Sequence, residues 1–334
     1  MLIILMLGII IWRWSQRPDP QQLLHVYGTT MGTIGYNVKY IGKQPHPQIK
    51  EKIDSLLLTF NQSLSTYIPS AEISTFNRDS VFNFQSPYFL PVLKTSKWIF
   101  EESNGAFDPT VMPLVNAWGF GPDQANIPDS AKVTDLLAIT GFDKIHFDDY
   151  QVWKDTAGVG LDFSAIAKGY AVDLVLEFVE NLGYENIFVE IGGEVRATGT
   201  NEVSGKPWTV GIEDPTRVEG DRSIVMAAQL VDMAVATSGN YRNYRMLGSR
   251  KISHTIDPVT GYPVEHGLLS ASVFARSCML ADGLATAIMV MGKDPAINLQ
   301  RKLSDIEIFL IYSGEDGQLK TYASEGLEEV LLNH

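Results

Sequence analysis

The chain has 334 residues, of which 45% are hydrophobic and 19% are charged. This is the composition of a globular protein that can bury a sizeable core. Its 26 Lys and Arg against 39 Asp and Glu give a net charge of −13 without any basic run, which argues against a nucleic-acid partner. The only cysteine, Cys278, excludes an intrachain disulfide and a thiolate zinc cluster.

The N-terminus is apolar. Residues 2–12 form a hydrophobic run that is followed by Arg13, Arg17 and a polar stretch. As a helix this run would reach roughly 17 Å, against about 30 Å of bilayer hydrocarbon. We therefore predict that residues 1–22 are an export signal or membrane anchor with a linker, which places the protein on the periplasmic or other extracytoplasmic side. Residues 23–334 are predicted to form one compact domain, with a division into two lobes left open.

Strands and helices alternate along this domain. Alternating or β-branched runs predict strands at 23–27, 33–40, 159–163, 187–191, 208–212, 223–230, 270–274 and 306–312. Helical periodicity predicts helices at 47–58, 89–103, 166–182, 279–291 and 295–302. The last strand, a turn at 313–317 and residues 318–323 predict a closing hairpin. This order favours a mixed α+β fold over a purely parallel sheet.

No phosphate-binding loop and no dinucleotide fingerprint is present, so a nucleotide would have to bind by other means. Residues 161–173 are predicted to run from a strand into a helix, with Ser164 as its N-cap. Such a junction offers backbone N–H groups to an anion. Lys168 would lie in the first turn, where a lysine opposes the helix dipole. It either binds a ligand or extends into solvent.

Asp282 and Thr286 lie one turn apart on a predicted helix and therefore share a face. Both carry hard oxygen donors, which suit magnesium beside a pyrophosphate. The alternative is structural: the aspartate caps a helix end, and the threonine bonds to its own backbone.

His254 precedes an Asp-Pro-Val-Thr-Gly turn and could act as a general base, although most lone histidines are not catalytic. Three further segments, at 28–33, 105–110 and 190–194, combine glycine with polar groups and could form ligand loops or ordinary turns. Met31, Tyr67 and Phe107 could pack against a flat ring system or simply belong to the core.

Taken in order, these segments resemble the ApbE family of FAD:protein FMN transferases. The matching motifs are Thr-Met-Gly-Thr at 30–33, Leu-Ser-Thr-Tyr at 64–67, Gly-Ala-Phe-Asp-Pro-Thr-Val at 105–111, Asp-Phe-Ser-Ala-Ile-Ala-Lys-Gly-Tyr-Ala-Val-Asp at 162–173, Ile-Gly-Gly-Glu at 191–194, Ala-Thr-Ser-Gly-Asn-Tyr at 236–241, His-Thr-Ile-Asp-Pro-Val-Thr-Gly at 254–261 and Ala-Asp-Gly-Leu-Ala-Thr-Ala at 281–287. The resemblance implies mixed, largely antiparallel sheets flanked by helices.

The resemblance also implies a set of site residues. The FAD site would be lined by Met31, Tyr67, Ala106, Phe107, Asp108, Asp162, Lys168 and Ile256. Magnesium would be held by the Ala165 carbonyl with Asp282 and Thr286. Family members can carry another aspartate where this chain has Ala285, so we expect the metal site to have fewer ligands here. The family's usual lipoprotein cysteine is also absent from the N-terminal segment, which leaves the mode of anchoring open.

The implied reaction is attack by a threonine hydroxyl of a target flavoprotein on the FMN-side phosphorus of FAD, with AMP as the leaving group. His254 is the first candidate for taking the hydroxyl proton, and Asp282 is the second. The implied targets are flavoprotein subunits of membrane redox complexes. Two alternatives remain at this point: a metal-dependent FAD pyrophosphatase that releases FMN and AMP, and a protein that binds FAD without cleaving it.

Overall fold

The computed structural model describes residues 20–120, 127–216, 223–240, 244–247, 250–253 and 255–332. The α-helices are α1 (Ile49–Leu64), α2 (Glu72–Arg78), α3 (Phe89–Glu102), α4 (Met112–Ala117), α5 (Ser130–Leu137), α6 (Ala167–Asn181), α7 (Cys278–Met291) and α8 (Lys293–Lys302). The strands are β1 (Gln22–Thr30), β2 (Ile34–Gly42), β3 (Val81–Asn83), β4 (Ile145–Phe147), β5 (Gln151–Lys154), β6 (Ile187–Ile191), β7 (Glu194–Thr198), β8 (Trp208–Glu213), β9 (Ile224–Leu230), β10 (Met233–Gly239), β11 (Tyr244–Leu247), β12 (Arg250–Ser253), β13 (Leu268–Ala275), β14 (Glu307–Ser313), β15 (Leu319–Ala323) and β16 (Leu331–Leu332).

An eight-stranded sheet forms the centre of the fold, in the order β1-β2-β6-β7-β10-β13-β14-β15. Every neighbouring pair in it is antiparallel. Three smaller sheets have the orders β16-β9-β8, β3-β5-β4 and β11-β12. The predicted α+β fold with largely antiparallel sheets is therefore confirmed, and so is the closing hairpin, which is β14 with β15.

The central sheet separates two hydrophobic clusters, as strand β6 illustrates. Ile187, Val189 and Ile191 belong to the large core that contains the buried faces of α1, α3, α6 and α7. Phe188, between them in sequence, belongs to the cluster on the other face and packs against Trp208 of β8. Successive side chains of a strand point to opposite faces, so this sheet is buried on both sides. Helices α6 and α7 therefore pack against a sheet that is itself buried on its other face.

The predicted strand at 159–163 is wrong. The segment is largely buried, but it pairs with no neighbouring strand: its hydrogen-bond partners are side chains and the carbonyls of Pro109 and Thr156. Asn77 accepts the Leu161 N–H at 2.7 Å and donates to the Leu161 carbonyl at 2.8 Å. Lys154 Nζ donates to the Val159 carbonyl at 2.8 Å. The apolar pattern arises from burial of the segment in the core, because Val159, Leu161 and Phe163 are fully buried.

The predicted N-terminal export or anchor segment lies almost entirely outside the described residues, and the domain assignment stays a prediction. Strand β1 begins at Gln22, one residue before the predicted start of the domain. Within the described ranges, no helix has the length and apolar character needed to cross a bilayer.

The contact between Asn77 and Leu161 can be tested by mutation. We expect Asn77→Ala to lower the free energy of unfolding by about 1–3 kcal/mol, because it leaves a buried backbone N–H and C=O without partners. Asn83→Ala, at an exposed position of β3, is the matched control and should change it by less than about 0.5 kcal/mol. Chemical denaturation measures both values, and equal stability of the two variants would refute the assignment.

Candidate active site

Two buried helices meet where α7 begins, and a carboxylate of α6 fixes the junction. Asp173 accepts the N–H groups of Cys278 and Met279, each at 2.9 Å, and the Ser277 hydroxyl at 2.8 Å. Arg196 of β7 donates to the same carboxylate at 2.8 Å. A carboxylate that satisfies the first N–H groups of a helix also complements its dipole. Asp173 therefore sets where α7 starts relative to α6.

The approach of α6 to α7 requires glycine at position 169. A Cβ there would lie 2.2 Å from the Cys278 carbonyl oxygen and 2.7 Å from the Asp282 Cβ. Asp282 in turn accepts the Gly169 N–H at 2.9 Å. Asp282 thus acts as a cap for the neighbouring helix, so part of the structural interpretation of this aspartate holds as well.

The start of α6 differs from the prediction. The helix begins at Ala167, and Ser164 lies in the preceding turn rather than at the N-cap. The N–H groups of this junction that were expected to be free are largely engaged: Ser164 N–H bonds to Asp162, and those of Ile166 and Ala167 bond to the Phe163 carbonyl. These three donors are therefore already satisfied within the protein, so an anion at this junction would depend more on charged groups.

Lys168 supplies that charge from the first turn of α6. Its Nζ lies 2.6 Å from Glu194 Oε1 and 3.7 Å from Asp282 Oδ1, so it does not extend into solvent. Burial acts to lower the pKa of Lys168, but the two carboxylates outweigh it and raise the pKa above its usual value. Burial raises the pKa of Glu194 to about 7 against the opposing effect of Lys168, and burial also raises the pKa of Asp282. The three side chains form one cluster of ionisable groups, with both carboxylates buried and the lysine half-buried.

This cluster lies in a cleft of about 550 Å³, a volume typical of small-molecule sites. Nine of the residues predicted for the site line it: Ala106, Phe107, Asp108, Asp162, Ala165, Lys168, Ile256, Asp282 and Thr286. They come from the 105–111 loop, the start of α6, the 255–258 loop and α7. Thr237 and Ser238 at the end of β10 complete the polar wall, and the Ser238 hydroxyl lies 3.3 Å from that of Thr286.

Two predicted residues lie elsewhere. Met31 lines a separate cavity of about 640 Å³ between the β1–β2 turn and α1. Tyr67 lies beyond the end of α1 and is 82% exposed. Gly192 lines the cleft, where a Cβ on this glycine would lie 2.8 Å from Ile34 of β2 and 3.4 Å from Lys168. His254, the first candidate base, lies outside the described residues.

Asp108 faces the cleft but is already saturated with hydrogen bonds. It accepts the Thr110 N–H at 2.8 Å, the Thr110 hydroxyl at 2.6 Å and the Phe142 N–H at 3.1 Å. Burial raises its pKa, and these hydrogen bonds oppose the rise. In this arrangement Asp108 shapes the loop that carries Phe107.

The donor set can be tested for its fit to a metal. Asp282, Thr286 and the Ala165 carbonyl offer hard oxygens, and Glu194 Oε2 is buried without a hydrogen-bond donor in the described part of the chain. The same part contains no cluster of three or more His, Cys, Asp or Glu side chains suited to a metal. Magnesium usually takes one or two carboxylates and completes its shell with phosphate oxygens and water. The site therefore fits magnesium held jointly with a phosphate ligand.

Three important residues of this region were not among the predicted site residues: Glu194, Asp173 and Gly169. All three lie in the matched motifs, but their roles depend on which elements meet in space. Glu194 opens β7 directly after the Gly192-Gly193 turn, where both glycines have positive φ. Only the pairing of β6 with β7 directs its side chain toward α6. The sequence signal that could have identified Glu194 is an acidic residue that directly follows two glycines.

The fold and the cleft define an α+β protein in which one half-buried lysine and two buried carboxylates lie beside hydroxyl donors. The ApbE family matches residues 30–310. The chain is 38% identical to the FAD:protein FMN transferase of Vibrio cholerae serotype O1 over 319 residues, which covers 93% of this chain and 94% of that protein. It also superimposes on the solved structure of the flavin transferase ApbE from Vibrio cholerae with a TM-score of 0.83, at 37% identity, covering 93% of this chain and 100% of that one.

The apo flavinyl transferase ApbE of Pseudomonas stutzeri is similar too, with a TM-score of 0.82, 33% identity and coverage of 93% of this chain and 97% of that one. The chain therefore belongs to the ApbE family, which confirms the resemblance drawn from its motifs.

The close approach of the two helices can be tested with Gly169→Ala. Helix propensity alone would favour alanine by about 1 kcal/mol. The clash of the added Cβ with the Cys278 carbonyl oxygen outweighs this gain. We therefore expect a net loss of about 1–3 kcal/mol in unfolding free energy, because α6 must move away from α7. Gly35→Ala in β2 is the control, since nothing lies within 4 Å of its added Cβ. Thermal and denaturant unfolding measure both, and a stabilised Gly169→Ala variant would contradict this packing.

Proposed function

We propose that this protein transfers the FMN half of FAD to a threonine hydroxyl of a target flavoprotein, with Mg²⁺ in the cleft and AMP as the leaving product. The main support is the meeting of Lys168, Asp282 and Thr286 in one cleft, in a chain that belongs to the ApbE family. Relatives over most of its length are named FAD:protein FMN transferases. FAD is thus a substrate of this protein rather than a resident cofactor.

Electrostatics supports the need for a cation. Lys168 contributes one positive charge to the cluster, and Glu194 and Asp282 contribute two negative charges when ionised. When both carboxylates are ionised the cluster is net negative, and each carboxylate repels a phosphate charge 4 Å away by about 4 kcal/mol at an effective dielectric constant of 20. A magnesium ion held by Asp282, Thr286 and the Ala165 carbonyl would neutralise charge on the diphosphate as it is cleaved. Lys168 would pair with a phosphate oxygen of the bound nucleotide.

The proposed step is a phosphoryl transfer. The threonine oxygen of the acceptor forms a bond to the FMN-side phosphorus while the bond from that phosphorus to the bridging oxygen breaks. AMP leaves with the bridging oxygen, and the hydroxyl proton passes to a base or to solvent. His254 stays the predicted base. Residues of this chain contribute mainly positioning and charge, which is where most catalysis of phosphoryl transfer arises.

The acceptor and the location are part of the same proposal. We propose flavoprotein subunits of membrane redox complexes as acceptors and an extracytoplasmic location for the reaction. The supporting observation is the apolar run at residues 2–12, which has the character of an export signal or membrane anchor.

The proposal predicts that Asp282→Asn lowers the rate of transfer by about 100-fold, because it removes the metal-binding charge. The amide oxygen can still accept the Gly169 N–H, so we expect the fold to be retained. Asp305→Asn, at an exposed position, removes the same charge outside the cleft and should transfer within about twofold of wild type. Incubation with FAD, Mg²⁺ and an acceptor protein, followed by fluorescence of the acceptor band on a denaturing gel, measures the rate.

Three results would contradict the proposal. Full transfer by Asp282→Asn would exclude the assigned metal site. Release of FMN and AMP without a fluorescent acceptor band would favour an FAD pyrophosphatase. Binding of FAD with no AMP formed would favour a protein that only holds the flavin nucleotide.

A further inference from the structure

Glu194 is a buried acidic side chain of the cleft to which the proposed reaction gives no role. It is 3% exposed and opens β7, facing the first turn of α6. One of its oxygens, Oε1, forms the 2.6 Å ion pair with Lys168. The other, Oε2, is shielded from solvent and has no hydrogen-bond donor in the described part of the chain.

An unsatisfied buried carboxylate oxygen is costly. Burying a charged group is tolerated when it is paired, hydrogen-bonded or bound to a metal. The ion pair with Lys168 satisfies only one oxygen, and Asp282 shares the same lysine at 3.7 Å. When both carboxylates are ionised, their two negative charges face the single positive charge of Lys168, and one additional cation would compensate the excess.

Helix α7 presents one acidic residue to the cleft, Asp282. Ala285, three residues further on, is fully buried in the main core and does not line the cleft. Glu194 reaches the same cleft from the β6–β7 turn.

We infer that Glu194 is an additional protein ligand of the divalent cation, giving Oε2 to the metal while Oε1 positions Lys168. The inference rests on the proposed function, since it assigns a ligand to the same metal site. It makes two carboxylates from different elements, Asp282 of α7 and Glu194 of β7, share one cation. The metal site is then built from the central sheet as well as from the two helices.

The test is direct binding of Mn²⁺, used in place of Mg²⁺, without FAD or an acceptor. Electron paramagnetic resonance of free Mn²⁺ gives the dissociation constant for the purified protein. We expect Glu194→Gln to weaken binding at least tenfold. Glu180→Gln, at an exposed position of α6, removes the same charge away from the cleft and should bind within twofold of wild type. Circular dichroism and thermal melting of each variant establish that it is folded.

A third variant separates metal ligation from a role through Lys168. Lys168→Met removes the ammonium that competes for both carboxylates, so Mn²⁺ binding should be kept or become tighter. If Lys168→Met weakens binding as much as Glu194→Gln does, Glu194 acts only through the lysine and the inference is overturned.

The failure of this inference can be told apart from that of the proposed function. Equal Mn²⁺ affinities for Glu194→Gln and Glu180→Gln would overturn the inference and leave transfer by the Asp282 site intact. Absence of Mn²⁺ binding to the wild-type protein would also overturn it, because two carboxylates in one cleft should bind the ion without nucleotide. Transfer of FMN would in that case still be tested by Asp282→Asn in the gel assay.

Discussion

The site depends on how α6 packs against α7. Two carboxylates hold them together, and each helix provides one of the two. Asp173 of α6 caps the first N–H groups of α7, and Asp282 of α7 accepts the Gly169 N–H in the first turn of α6. Each helix thus provides the other with a partner for its N-terminal donors. The glycine allows the backbones to approach closely enough for both contacts to form. Lys168 reaches Asp282 because of this geometry.

A buried cluster of this kind is poorly explained by stability alone. Replacing a buried ion pair with well-packed apolar side chains is often neutral or stabilising. Here Asp282 and Glu194 are both almost fully buried, and they share a single lysine. A broken rule of this type tends to mark a functional site. The cluster is therefore better explained as a prepared binding site for charged ligands than as a contribution to the core.

Much of the fold could be predicted because the spacing of apolar residues along the sequence indicates which face of a strand or helix is buried. The strand at 187–191 and the helices around Lys168 and Asp282 have strong patterns, and the structure places them within a residue or two. The segment at 159–163 has a strand's pattern but pairs with Asn77 and Lys154, and no local pattern reveals a side-chain partner. The same limit applies to the site. The matched motifs pointed to Lys168, Asp282 and Thr286, whereas the role of Glu194 required knowing that β7 faces α6.

The acidic surface is compatible with the proposed anionic substrate, because surface charges are screened more strongly than charges inside the cleft. Solvent-exposed charges are largely screened beyond about 10 Å in 0.1 M salt, so a net charge of −13 spread over the surface has limited influence inside the cleft. Buried charges are screened far less. The local sign is then set by Lys168 and by any cation that Asp282 helps to hold. Several backbone donors at the start of α6 are already engaged, so we propose that these charges are the main way for the protein to hold a diphosphate.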